Sequence, residues 1–531
     1  MTMYEKLKVA AQSYPSTRAL TLNGKHITFK QLLENIDRTF YKCINLGIQP
    51  HDKVALVLPN IFESVYLLYA LNKLNVTVVM IHPLSSSTLI KKRCEFVGVS
   101  KMFVLDVLMD RYRDVIDKED MVVIAMANNS KGFEKLFLKT RYGMRSFSKH
   151  HFNRISSRPQ AIDVGDQVKD AVVLFSSGTT GEQKAVGLSS EAFNTLAFQM
   201  RSNIDPVIGE DSMYCVLPFF HGFGLGVTLH GVLALGGRCV LVPRIKRNTM
   251  VKELLKEKPT HIAGVPYLFR ILLNDETFIN SDLSFIKDAF VGGEAVAPKL
   301  VEDFNNLLKQ HNSPGCLRVG YGMTESTAAV AISESFDTTP HCVGKPLIGN
   351  EARIIKENGE FAKPYEYGEI LVHGKTLMNG YINNDTLNEK VFQTYDDKLF
   401  YHSNDIGYMD ALGQLYFSHR ADELVKVKGF FVNPLEVESE LYKIPGCLEA
   451  KAFVDKDETL CAMLVFDRKY ELENLIEKTN KVMVVLDHWS IPKQYYVVKD
   501  IPKNDMRKYD IKRINQYLQS DAFEFVHTWR I

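Results

Sequence analysis

At 531 residues the chain is longer than one hydrophobic core organises, so roughly two to four domains or subdomains are expected. Its 46% hydrophobic and 24% charged residues are ordinary for a globular protein, and a formal charge of +1 excludes a global attraction to nucleic acid or to an anionic membrane. Eight cysteines, scattered with no close pair and no histidine cluster at metal-ligand spacing, exclude a disulfide framework and a zinc module and fit small core residues in a reducing cytosol.

The first segment, MTMYEKLKVAAQSYPSTRAL, is polar and charged and lacks the apolar run of a secretory signal, so a cytoplasmic location is expected. Apolar, β-branched runs begin at Val54 (VALVLP), Val76 (VTVVMIHP), Ala171 (AVVLFSS) and Gly237 (GRCVLVP), and each reads as a buried strand. Between them, ESVYLLYALNKL from Glu63 and VKELLKEK from Val251 have helical spacing. That alternation predicts α/β layers around parallel sheet. From Asn128 to Gln160 the rhythm breaks into a Lys-, Arg-, Ser- and His-rich stretch, read as a linker or surface excursion. Met213 to Gly237 carries no charge, but its six glycines, Pro218, His221 and His230 argue for a buried strand, loop and helix over a membrane span. After Phe417 a polar turn, a short strand, a proline and an acidic helix start come in order. A domain boundary is expected there, giving units 1–421 and 422–531.

The most informative segment is AVVLFSSGTTGEQKAV, from Ala171 to Val186, where a buried strand runs into Ser, Gly and Thr and ends at a lysine. Gly178 and Gly181 let backbone approach an anion, the hydroxyls of Ser176, Ser177, Thr179 and Thr180 can donate to phosphate oxygens, and Lys184 adds charge. It is not a Walker loop, because Glu182 and Gln183 follow Gly181 where that motif needs Lys and a hydroxyl. Taken alone, such a turn reads as readily as a flexible connection.

Together with the motifs C-terminal to it, the segment resembles the phosphate-binding loop of the adenylate-forming (AMP-binding) superfamily, which includes acyl-CoA synthetases, luciferases and peptide-synthetase adenylation domains. The usual loop reads SSGTTGxPKGV; here Gln183 replaces the proline and Ala185 the glycine. LPFFHGFGL from Leu217 resembles the family's P-x-x-H-x-x-G element and implies that His221 lies beside the acyl carboxylate, although a lone histidine on an apolar loop also reads as a packed one. VGGEAV at Val291 is similar to the adenine loop and assigns Gly292, Gly293 and Glu294 to the base. GYGMTES from Gly320 matches Y-G-x-T-E, so that Tyr321 and Gly322 would pack on adenine, Thr324 would bond phosphate and Glu325, with Thr180, would hold magnesium. The G-E-[IL] strand and G-Y turn from Tyr367 are read as scaffold. Asp405, in HSNDIGYMD, stands where the family's T-G-D aspartate accepts the ribose hydroxyls, with Ser403 and Asn404 departing from the pattern. Arg420 would face the nucleotide, Asp422 would be the hinge, and Lys428 and Gly429 lie in the strand that would line a pantetheine tunnel. Lys508 in IPKNDMRKYDIKRI is the implied catalytic lysine, with Arg507 in place of a glycine.

The resemblance implies an α/β fold: a large N-terminal adenylate-forming domain of layered sheets and helices, plus a small mobile α+β C-terminal domain. It implies ATP, Mg2+ and coenzyme A, and conversion of a carboxylic acid to an acyl adenylate and then a thioester. No aspartate in LPFFHGFGLGVTL could hold an ammonium group, so a neutral acid is expected, a medium- or long-chain fatty acid ahead of an aryl acid. Phe219, Phe220, Phe223 and Leu225 are expected to line its pocket. Between Lys135 and Arg158 seven Lys or Arg and no acid interleave with Phe137, Phe147 and Phe152, a face for anionic lipid, an acyl carrier protein or coenzyme A phosphate, or else a solvated loop. A carrier protein as thiol acceptor and a catalytically silent nucleotide-binding homologue stay open as alternatives.

Overall fold

The computed structural model describes residues 1–112, 114–117, 120–125, 152, 155–159, 161–177, 183–204, 209–244, 247–427, 430–466, 474–503, 509–518 and 525–530. Two sheets carry the chain up to Arg420. In the first, the strands Val172–Ser177, Thr77–Met80, Lys53–Val57, Lys101–Leu105 and Met121–Ile124 lie side by side in parallel. Gln183–Leu188 turns back antiparallel on Val172–Ser177, and Gly380–Tyr381 closes that edge. Side chains alternate along these strands. Val54, Leu56 and Val78 enter one core while Ala55, Val57 and Val79 enter another, so both faces are buried and the strands read as unbroken apolar runs.

The second sheet has 14 strands. Its first half is parallel, from Arg18–Leu22 through Arg238–Leu241, Ser212–Cys215, His261–Gly264 and Asp288–Val291 to Leu317–Tyr321. Its second half is antiparallel and includes the long strand Lys398–Met409 and its neighbour Leu415–Arg420. The helix Phe62–Lys73 is buried almost all round its circumference, as suits an element sandwiched between layers. Its residues share one core with strands of both sheets.

The uncharged stretch forms the strand Ser212–Cys215, a loop, a π-helix at Phe223–Gly231 and the short helix Val232–Ala234. The expected strand, loop and helix are all present, with the helix in its wide π form. At Gly224 a Cβ would lie 2.1 Å from the Pro218 carbonyl oxygen, so this close return of the loop requires glycine. Asn60, 3% exposed, fastens the loop to the first sheet. Its amide donates to the carbonyls of Cys215 and Leu217 at 3.0 and 2.8 Å, and its oxygen accepts from the N–H of Phe219 at 3.1 Å. Among the described residues no helix is long and apolar enough to cross a membrane.

Beyond Arg420 come the hairpin Val425–Val427 and Phe430–Val432, the helix Pro434–Leu441 and a four-stranded sheet. Their apolar residues, from Val427 to Trp529, form clusters of their own. Of the three phenylalanines placed in the basic stretch between Lys135 and Arg158, Phe152 departs from an exposed position. It is 4% exposed, packs edge-on to Phe103 at 5.8 Å and takes the Lys42 ammonium over its ring at 4.5 Å. A ring within a basic stretch thus serves the core; Phe137 and Phe147 lie outside the described residues.

Replacing Asn60 by alanine strands two buried carbonyls and one N–H, and the expected destabilisation is about 2–4 kcal/mol. Chemical denaturation measures it; a loss under about 0.5 kcal/mol, the range of an indifferent substitution, would show the loop held by other contacts.

Candidate active site

Between the second sheet and the C-terminal segment lies a cleft of about 2520 Å³. Every described candidate residue lines it: Ser176, Lys184, His221, Gly292, Gly293, Glu294, Tyr321, Gly322, Thr324, Glu325, Asp405 and Arg420. Gly178, Thr179, Thr180, Gly181, Lys428, Gly429 and Lys508 lie outside the described residues, as does the side chain of Ser177.

At one end, the strand leading into the phosphate loop meets the turn after Leu317–Tyr321. The Ser176 hydroxyl donates to Glu325 Oε1 at 2.8 Å, and Tyr381 donates to the same oxygen at 3.0 Å. Tyr401 lies 3.0 Å from the Tyr381 hydroxyl, and Lys184 Nζ sits 5.2 Å from the Tyr381 ring centroid. Sequence reasoning misses Tyr381 and Tyr401: the G-Y turn, which reads as scaffold, places a hydroxyl on Glu325. Only the dipeptide is visible in the chain; its reach to a residue 56 positions away is not. Burial and the neighbouring Glu325 push the Tyr381 phenol far above its ordinary range, so it remains a donor.

At the other end, hairpin register sets Asp405 directly opposite Arg420. Tyr321 donates its hydroxyl to Asp405 Oδ2 at 2.7 Å, and Arg420 Nε stands 3.5 Å from Asp405 Oδ1 and 3.6 Å from Asp422 Oδ1. Those separations are ion-pair contacts, and the buried Arg420 Nε makes no hydrogen bond among the described residues. Burial pushes the Asp405 carboxyl up to about 6 although Arg420 and Tyr321 both favour its charge. Asn404 adopts φ 62°, a left-handed conformation that Asn tolerates better than other non-glycine residues, so the usual glycine is replaced without losing the turn. Ser403 steadies it, donating to the Ile370 carbonyl at 2.6 Å while accepting from the Asp405 N–H at 3.0 Å.

The wall beside His221 departs from expectation. Phe220 and Phe223 line the cleft, whereas Phe219 and Leu225, at 2% and 0% exposure, point into the core. Asn60 holds the Phe219 backbone and Leu225 lies within the π-helix, and both side chains join the main apolar cluster.

The C-terminal segment forms the opposite wall. The Arg270 guanidinium lies 3.3 Å from the Tyr442 ring centroid and donates to the Leu448 carbonyl at 3.4 Å. Lys503 and Tyr509, which flank 504–508, pair as an antiparallel bridge, line the cleft and both contact Glu449, at 2.6 and 3.1 Å.

The chemistry of these donors can be matched to ligands. Among the described residues no group of three or more His, Cys, Asp or Glu side chains could hold a metal. A single carboxylate such as Glu325 suits magnesium, which is commonly held by one or two carboxylates with substrate phosphates and water. The unbonded Arg420 Nε, the Asp405 carboxyl and the open backbone at Gly293 suit a nucleotide.

Comparison with known proteins agrees. The chain is 27% identical over 544 residues to a long-chain-fatty-acid CoA ligase of Bacillus subtilis, covering 96% of this chain and 93% of that one. It is 34% identical over 305 residues to the luciferin 4-monooxygenase of Nipponoluciola cruciata, 56% of this chain and 53% of that one. Its fold superposes on an anthranilate CoA ligase solved with anthranoyl-AMP at a TM-score of 0.82 and 19% identity, covering 98% and 97% of the two chains. The AMP-binding enzyme model matches residues 7–382, well over half the chain and the whole stretch from the phosphate-loop strands through Glu325 to Tyr381, so this protein belongs to the AMP-binding enzyme family.

Proposed function

We propose that the protein is an AMP-forming acid–thiol ligase that activates a carboxylic acid with ATP and transfers the acyl group to coenzyme A. The observation that carries this reading is the convergence of Ser176, Lys184 and Glu325 at one end of a cleft whose other end holds Tyr321, Asp405 and Arg420. A carboxylic acid ionises at roughly pH 4 to 5, so attack on the α-phosphate needs no general base. The barrier is electrostatic, an anion approaching an anionic phosphorus in line with departing pyrophosphate. Lys184 and Thr324 neutralise and orient the phosphates, Asp405 accepts the ribose hydroxyls, and Arg420 holds the nucleotide from the hinge side. Glu325, with Thr180, would hold magnesium, which would supply further charge stabilisation there. Lys508 joins the phosphates in adenylation; that Lys503 and Tyr509, the described residues on either side of it, line the cleft supports this role.

The unit before Asp422 forms the adenylate and the unit 422–531 rotates about Asp422 before thiol transfer, a division supported by the separate apolar clusters beyond Val425. After rotation Lys428 and Gly429 would line the pantetheine path. For the acid we favour a medium- or long-chain fatty acid. Phe220, Phe223, Leu217 and Val242 make the wall beside His221 apolar, and full-length similarity to a fatty-acid CoA ligase supports an acyl chain. Structural likeness to an anthranilate CoA ligase makes an aryl acid the competing reading. The eight cysteines, all unpaired and buried, support a reducing compartment such as the cytosol.

Pyrophosphate release across fatty, aryl and amino acids, with coenzyme A or a carrier protein, tests the assignment: AMP and an acyl-CoA of a long acid are expected, and no turnover with any acid would overturn it. Lys508→Ala should lower adenylate formation by about 10² or more while thioester formation from preformed acyl adenylate persists; equal loss in both assays would remove its role. Asp405 carries its charge only above about 6, so adenosine, which has no phosphate to titrate, should bind roughly tenfold more weakly at pH 5 than at pH 7.5, and Asp405→Asn should flatten that profile.

A further inference from the structure

The strand leaving the phosphate loop and the turn bearing Glu325 meet at one end of the cleft, and Tyr381 touches both. Its backbone pairs with Val186 on the strand that leaves the phosphate loop. Its hydroxyl donates to Glu325 Oε1, and its ring lies beneath the Lys184 ammonium. The same segment grips the turn twice more, through Met378 N–H on the Glu325 carbonyl at 2.8 Å and Thr327 Oγ1 on the Thr376 carbonyl at 2.7 Å. Since the Tyr381 proton is committed to Glu325, the neighbouring Tyr401 hydroxyl donates to the Tyr381 oxygen. A chain of two phenols therefore ends on Oε1, where Ser176 also donates. Among the described residues no hydrogen bond reaches Oε2, and no ion pair joins Lys184 to Glu325.

We infer that Tyr381 is a positioning residue for magnesium: with Tyr401 behind it, the hydroxyl fixes the Glu325 carboxylate by Oε1 and leaves Oε2 for the cation, while the ring keeps Lys184 from collapsing onto that carboxylate. Direct pairing of Lys184 with Glu325 would cancel the charge each brings to ATP. An aromatic ring prevents this without competing for either group, because its face attracts the ammonium and its hydroxyl satisfies the acid. Two donors on one carboxylate oxygen also remove the rotational freedom that metal binding would otherwise have to freeze. This inference rests on the reading of Glu325 as the magnesium ligand.

The test is equilibrium binding to the full-length protein, without acid substrate, of ATP with and without magnesium and of AMP without magnesium. Tyr381→Phe keeps the ring and removes the hydroxyl. It should reduce the magnesium-dependent gain in ATP affinity about tenfold, the lower end of what losing a partner of a metal-ligating group costs. Affinity for AMP should stay as in the wild type, and the thermal midpoint should fall only by the few degrees that one lost buried hydrogen bond costs. Tyr401→Phe, acting one bond further away, should show the same pattern about two- to threefold. An unchanged magnesium gain in Tyr381→Phe, or an equal loss of AMP affinity, would overturn the inference, the latter marking a merely structural residue. Glu325→Gln run in parallel separates the two layers. If Glu325→Gln loses the gain and Tyr381→Phe keeps it, only the role of Tyr381 falls; if Glu325→Gln keeps it too, the magnesium reading falls and this inference with it.

Discussion

A carboxylate clasped at the seam between two sheets is the constraint on which the rest of the cleft depends. Glu325 is 8% exposed, and a buried acid is tolerated only where hydrogen bonds or a cation compensate its lost hydration. Ser176 supplies one bond from the first sheet and Tyr381 another from that sheet's edge, while the backbone bearing Glu325 continues from the last parallel strand of the second. The two sheets are thereby locked in register at the point where a polyphosphate would lie. Any shift between them would strip the acid of a donor, so the packing of the large core and the geometry of the cleft cannot vary independently.

The second sheet contributes differently to each end of the cleft. Its parallel half delivers the loops after Asp288–Val291 and Leu317–Tyr321 to the same edge, as parallel strands present their C-terminal ends together. Its antiparallel half places Asp405 across from Arg420, with Tyr321 arriving from the parallel half to donate to Asp405. Arg420 then bridges toward Asp422, beyond which the apolar clusters belong to the C-terminal segment alone. A change in the orientation of that segment would act on the Asp405 end through Arg420 and on the cleft wall through Arg270 and Tyr442.

Much of the fold and part of the site were legible in the chain because they depend on local pattern. Runs such as VTVVM and VALV are apolar at nearly every position, which only a sheet covered on both faces requires, and they form neighbouring inner strands of the first sheet. The order of glycine-, hydroxyl- and lysine-bearing motifs, each short enough to read as a string, marked Ser176, Lys184, Tyr321, Glu325, Asp405 and Arg420, and all line one cleft.

What the sequence could not express were choices made by partners distant along the chain. Phe219 and Phe220 are chemically identical, yet one fills the core and the other faces the cleft, because the Pro218 turn and Asn60 decide which way each points. Phe152 sits in a basic stretch and is buried because Phe103 and Lys42 accept its ring. Tyr381 looks like a turn residue until the edge pairing with Val186 brings its hydroxyl to Glu325. The sequence by itself determined which groups are available for adenylate chemistry and the layered architecture that carries them, since period, apolarity and motif are local properties. Tertiary structure alone decided which hydroxyl holds which carboxylate and which ring meets the ligand, since hydrogen bonds and burial are set by distances between residues that the chain order does not contain.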